Sequence, residues 1–154
     1  MRVTDIGANA ALPKPKVVLR AAIRAEIGPA VEFESTHGWT RSVFPITGGV
    51  MRGEGLDGVI IPGGADFAQL LPDGSYAIEA RYCVRFNDGV TVMITNAGRM
   101  FPHVSGGFQG RTRAAFEAPA GPYAWLSEAV FFGTARSERG DDHNVFIELW
   151  EALL

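Results

Sequence analysis

From residue 16 onward, short runs of β-branched and aromatic residues alternate with clusters of Gly, Pro, Asn and Asp. Apolar and polar positions that alternate with a period of two mark half-buried strands, and the Gly/Pro clusters mark the turns between them. Residues 16–27 carry the alternation Leu19, Ala21, Ile23 behind a β-branched start, which favours a strand over a short helix. Residues 39–46 read as a strand followed by Thr47-Gly48-Gly49, and residues 50–52 lead into a turn at Gly53-Glu54-Gly55. Residues 56–61 and 65–71 read as two strands separated by Pro62-Gly63-Gly64, which ends or bulges the first. Residues 72–75 and 87–89 are hairpin turns, because Pro presets φ and Gly supplies φ > 0. Between them lies the longest strand, 76–86, and residues 90–96 return as its partner. Residues 98–110 read as a loop and 123–126 as a turn or helical corner. Strands are expected at 111–117, 129–137 and 144–149, with a polar turn at 139–142.

About nine strand candidates at regular spacing, with no convincing long helix, predict an all-β domain, either an antiparallel barrel or a sandwich. The 19 glycines suit the bends and bulges of a strongly curved sheet. The chain is 154 residues long, which predicts one domain over 17–154 behind a flexible N-terminal arm at 1–16. With 47% hydrophobic and 20% charged residues there is enough apolar material for a core. A formal net charge of −3 without a Lys/Arg run argues against a nucleic-acid or membrane-surface partner. Cys83 is the single cysteine, so no internal disulfide framework is expected, which suits a reducing, cytoplasmic setting.

The familiar chemical motifs are absent: no phosphate-binding P-loop, no Gly-x-Gly-x-x-Gly opening a helix, no Cys pair and no Gly-x-Ser-x-Gly. His37, His103 and His143 are scattered at spacings that support no metal site, and no metal is expected. Cys83 reads as a small hydrophobe, because no neighbour would activate its thiol.

The informative positions lie in the middle. Along 76–86 side chains alternate faces, so Tyr76, Ile78, Ala80, Tyr82, Val84 and Phe86 share an apolar face, while Glu79 and Arg81 share the other with Ala77, Cys83 and Arg85. That second face is either a solvated outer wall or the lining of a ligand pocket, in which Arg81 binds a ligand oxygen and Glu79 moves a proton. Asp66 follows Gly63-Gly64-Ala65 and precedes Phe67; it is either a turn cap or, if buried, a carboxyl titrating near neutrality. Tyr82, Asn96, Arg99, Glu117 and Tyr123 are second-tier candidates for binding a substrate.

Taken together, Pro45-Ile46-Thr47-Gly48-Gly49, Pro62-Gly63-Gly64-Ala65-Asp66-Phe67, Glu79-Ala80-Arg81-Tyr82, Asp88-Gly89, Tyr123-Ala124-Trp125-Leu126 and Val130-Phe131-Phe132-Gly133 resemble a bacterial and fungal family, domain of unknown function 3237. The resemblance runs from about Val17 to the end. Phe67 stands where that family often has Trp, Glu79 where it commonly has Asp, and Arg99 takes the place of an Arg that follows its Asn-x-Gly. The resemblance implies an antiparallel barrel of lipocalin-like or allene-oxide-cyclase-like form. Such barrels serve small cofactor-free cyclases and isomerases. The expected function is therefore a cofactor-independent isomerase, cyclase or lyase, acting on a small, partly aromatic or carbonyl-containing molecule. Proton transfer would be carried by Asp66, Glu79 and Arg81, in a barrel expected to be a homo-oligomer. A non-catalytic barrel for a small hydrophobic ligand is the alternative, and a filled scaffold with a solvated polar stripe a third reading.

Overall fold

The computed structural model describes residues 12–154. Residues 1–11, most of the expected arm, lie outside the described residues, and 12–15 carry no regular secondary structure. The strands are β1 (Lys16–Ile27), β2 (Val31–Glu34), β3 (Thr40–Arg52), β4 (Gly58–Leu70), β5 (Tyr76–Phe86), β6 (Thr91–Pro102), β7 (Phe108–Glu117), β8 (Val130–Arg136) and β9 (Asn144–Leu153). One 3-10 turn, Ala124–Ser127, realises the corner expected there. No helix among the described residues is long and apolar enough to cross a membrane.

The strands form one antiparallel sheet in the order β1-β9-β8-β7-β6-β5-β4-β3-β2, and β1 also pairs with β3. That extra pairing closes eight strands into a barrel, and β2 remains as a ninth strand held by β3 alone. β1 and β2 are two parts of one line along β3, with Ile27 opposite Ile46 and Val31 opposite Val43, interrupted at Gly28-Pro29-Ala30. The barrel expectation holds and the sandwich does not.

Three local readings change. Residues 40–52 form one bent strand, as do 58–70, because the Gly-rich segments are bulges within strands instead of ends. In β4, Ile61 pairs with Cys83 and Ala65 with Arg81, so Pro62-Gly63-Gly64 stands against the single residue Tyr82. The apparent loop 98–110 is mostly strand, since β6 runs to Pro102 and β7 starts at Phe108. Two of its glycines serve close approach: a Cβ on Gly98 would overlap the Arg111 carbonyl oxygen, and one on Gly110 the Arg99 carbonyl oxygen. β2 was not anticipated, because four residues leave too short an alternation to detect.

The two ends of the barrel differ. Near the 3-10 turn, Leu126 is fully buried and packs into a core with Met51, Phe86, Phe116, Phe131 and Leu149. Phe116 and Phe131 meet edge to face at 5.2 Å, which closes this end with interlocked rings. The other end is bounded by the β1–β2 junction and the starts of β5, β7 and β9, and it stays open. Replacing Gly98 by Ala should push β6 and β7 apart, costing about 2–3 kcal/mol of overpacking. Thermal unfolding should fall by roughly 5–10 °C; an unchanged melting temperature would contradict the close-approach account.

Candidate active site

Asp66 owes its position to the β4 bulge. Ile60 faces the interior at 3% exposure, and the bulge adds two residues relative to β5, an even number, so Asp66 and the buried Ala68 face inward again. Beyond the bulge the β4–β5 ladder pairs Asp66 with Ala80 and resumes at Gln69 with Ala77, skipping Phe67 and Ala68. The Glu79 backbone N–H, released from the ladder, donates to Asp66 Oδ1 at 3.0 Å. The released Phe67 carbonyl accepts from Arg41 Nη1 at 2.9 Å. Side chains thus satisfy one amide and one carbonyl at the gap.

The Asp66 carboxyl lines a cavity of about 490 Å³ at the open end. Its apolar surface comes from Ile27, Phe44, Ala68, Tyr76, Ile78, Met100, Phe108 and Val145. Tyr76 meets Phe44 edge-on at 6.0 Å and Phe108 edge-on at 5.2 Å, which makes an aromatic wall. The charged lining consists of Glu32, Asp66, Asp141 and Asp142; no Lys, Arg or His lines it among the described residues. Burial pushes the Asp66 pKa up from 3.8 to about 6, opposed by the Glu79 amide and assisted by the Glu79 charge. An apolar pocket with a carboxyl poised near neutrality has the hallmarks of a site that moves a proton. A wider hollow of about 930 Å³ on the outer wall is flanked by Arg99, Arg111 and Arg113, and Asp66 is not part of it.

Behind Asp66 the interior turns polar. Tyr82, one inward-facing step toward the closed end, is 3% exposed, and Asn96 faces Ala80 from β6. Tyr82 Oη, Asn96 Oδ1 and Thr112 Oγ1 are buried without a protein hydrogen-bond partner. Burial, with the Asp66 charge added, drives the Tyr82 pKa well above its ordinary value and keeps the phenol protonated. Among the described residues no group of three or more His, Cys, Asp or Glu could hold a metal ion.

The family model described as "Protein of unknown function (DUF3237)" matches residues 15–152. The chain belongs to the DUF3237 family. A UPF0311 protein of Rhodopseudomonas palustris (strain TIE-1) is 32% identical over 126 residues, which cover 73% of this chain and 82% of the relative. A hydroalkoxylation enzyme of Penicillium herquei is 24% identical over 149 residues, covering 97% of this chain and 90% of the enzyme. In shape, this DUF3237 barrel is similar to a solved β-barrel-like protein of Acinetobacter baumannii. The TM-score is 0.86 at 21% identity, with 93% of this chain and 99% of that one covered.

Of the residues singled out in the sequence, the DUF3237 barrel brings Asp66, Tyr82 and Asn96 together inside. It does not bring in Glu79 or Arg81, and the reading that placed them in the pocket is corrected. Both stand on the outer wall, where Arg81 Nη2 and Glu79 Oε1 pair at 2.5 Å with about half of each side chain exposed. The strand alternation leaves no other arrangement once Tyr82 and Val84 face the core. Arg99 is also outside, donating to Ser75 Oγ at 2.7 Å. Glu117 is exposed at the end of β7. Tyr123 belongs to the closed end, where its ring stacks on Phe86 at 4.3 Å and its hydroxyl donates to Asp88 at 2.9 Å. The sequence reading missed Glu32, Phe44, Phe108, Asp141 and Asp142. Phe44 carried a signal, since it lies at an apolar position of an expected strand; Glu32 and Phe108 sit in segments not read as strand.

Because the folded Asp66 keeps a proton that the unfolded chain releases near pH 4, stability should fall as pH rises from about 4 to about 6. Asp66→Asn retains an acceptor for the Glu79 amide and removes the buried charge. The variant should be more stable than the native protein by about 2–3 kcal/mol at pH 7.5, and equal to it below about pH 4, in urea unfolding. A constant difference across that range would count against a raised Asp66 pKa.

Proposed function

We propose that this barrel is a lyase or cyclase that adds a hydroxyl across an electron-rich carbon–carbon double bond by acid catalysis at Asp66. The observation that carries the reading is one carboxyl, poised near neutrality, at an apolar and aromatic cavity of about 490 Å³. An acid with a pKa close to ambient pH is protonated often enough to donate and is still strong enough to do so.

The electrostatics favour a reaction that builds positive charge. An enolate would need a cationic partner, and no Lys, Arg or His lines the cavity among the described residues. A developing carbocation would face the rings of Phe44, Tyr76 and Phe108 together with carboxylates. In the step proposed, the Asp66 carboxyl gives its proton to one alkene carbon. The substrate hydroxyl oxygen then bonds to the other carbon, and the hydroxyl proton returns to the Asp66 carboxylate. One C–H and one C–O bond form as one O–H bond and the π bond are lost. The balance is redox-neutral, and Asp66 ends as it began. The Penicillium herquei relative named as a hydroalkoxylation enzyme supports this class of chemistry at the family level.

The test is incubation with ortho-prenylated phenols in D2O, followed by mass spectrometry. The cyclic ether formed should carry one carbon-bound deuterium. Asp66→Asn should lower the rate by about 10²–10⁴-fold, and Arg81→Ala, on the outer wall, should change it by less than about twofold. Binding of such phenols with no deuterium incorporation would turn the reading to a carrier for small hydrophobic molecules.

A further inference from the structure

The charges of this protein are sorted by location. Among the described residues no Lys, Arg or His lines the cavity, and several cations are engaged elsewhere: Arg81 with Glu79, Arg136 with Glu138, Arg20 with Glu151, and Arg41 with the Phe67 carbonyl. The cavity, in contrast, is rimmed by Glu32, Asp141 and Asp142 around Asp66. Two rim charges are fixed in place. Glu32 Oε1 accepts from Ser42 Oγ at 3.0 Å, on the inner side of β2. Asp141 Oδ1 accepts from the backbone amides of His143 at 2.9 Å and Asn144 at 3.1 Å, and Asn144 Nδ2 adds a bond to each carboxylate oxygen. These donors hold Asp141 ionised and facing the entrance.

From this arrangement we infer that the cavity selects its ligand by charge, accepting an uncharged or cationic aromatic molecule and rejecting carboxylates, phosphates and sulfates. The inference deepens the catalytic reading and rests on it only for the identity of the pocket. A ligand anion would enter among the three rim carboxylates, two of them fixed, lose hydration in an apolar interior and meet no Lys, Arg or His in the lining. A neutral phenol or ketone pays no such cost, and a ring-bearing ammonium gains from both carboxylates and aromatic faces. The substrate class is therefore an uncharged, hydroxylated, ring-containing molecule, or its cationic equivalent. A free carboxylic acid is excluded.

Three probes on one ring system test this at pH 7.5 in low salt: 2-naphthylmethanol, 2-naphthylmethylammonium and 2-naphthoate, titrated against the native protein by calorimetry or fluorescence. The alcohol and the ammonium should bind, and 2-naphthoate should bind at least tenfold more weakly than the alcohol. The gap should shrink several-fold at 0.5 M salt, where surface charges are screened. The double variant Glu32→Gln with Asp142→Asn, which keeps the Ser42 contact and leaves Asp141 to hold its loop, should recover most of the lost naphthoate affinity. Naphthoate binding as tight as the alcohol, or a gap unmoved by both salt and the double variant, would overturn the charge filter and leave the catalytic reading standing. Failure of all three probes to bind would overturn the filter and the pocket together.

Discussion

The pairing of β1 with both β9 and β3 is the constraint on which the rest of the molecule depends. Without it the sheet would be an open, curved ribbon with two free edges. With it, eight strands share their hydrogen bonds around a ring, and inside and outside become fixed properties of odd and even positions. A slip of one residue in any strand would exchange its core face for its solvent face. The β4 bulge is tolerated because its excess over β5 is even, so Ile60 and Asp66 both look inward across an irregular segment.

Closure also separates the electrostatics. Arginines whose guanidinium groups cannot be desolvated cheaply stay on the wall, where their stems cover the sheet and their heads meet water or glutamate. The interior around Asp66 keeps groups that can be neutral, a carboxyl that holds its proton, a phenol, an amide and a hydroxyl, while the buried Glu151 on β9 is paired with Arg20. The aromatic plug around Leu126 fills one end, and the cavity opens at the other. Asp66 sits at the junction, polar groups behind it and apolar wall before it, and that position raises its proton affinity.

Much of this was legible beforehand, for reasons that differ by element. The 76–86 strand was readable because eleven residues of clean alternation leave one register, and its two faces were divided correctly from the sequence. What alternation does not say is which face points inward when both carry usable chemistry, so Glu79 and Arg81 remained open until closure put Tyr82 and Val84 in the core. Asp66 was legible through its neighbours, since Gly63 and Gly64 announce a backbone irregularity. The rim was not. Glu32, Asp141 and Asp142 come from a four-residue strand and a turn, and they converge only when β2 and the β8–β9 connection meet across the barrel mouth. Gly98 and Gly110 were misleading, because they mark close strand contact, whereas Gly106 and Gly107 do mark the turn.

The bond from the Glu79 amide to Asp66 has a consequence for how such a barrel can drift in sequence. The acid is held by main chain, so its support does not depend on which side chain residue 79 carries. Glutamate, aspartate or a neutral residue would each present the same N–H at the same place. That bond is thereby released from the choice of outer-wall side chain, while the Glu79 charge still adds to the proton affinity of Asp66. The outer wall can be rewritten for solubility, assembly or a new neighbour while the acid below keeps its partner, and proline is the one residue the position forbids.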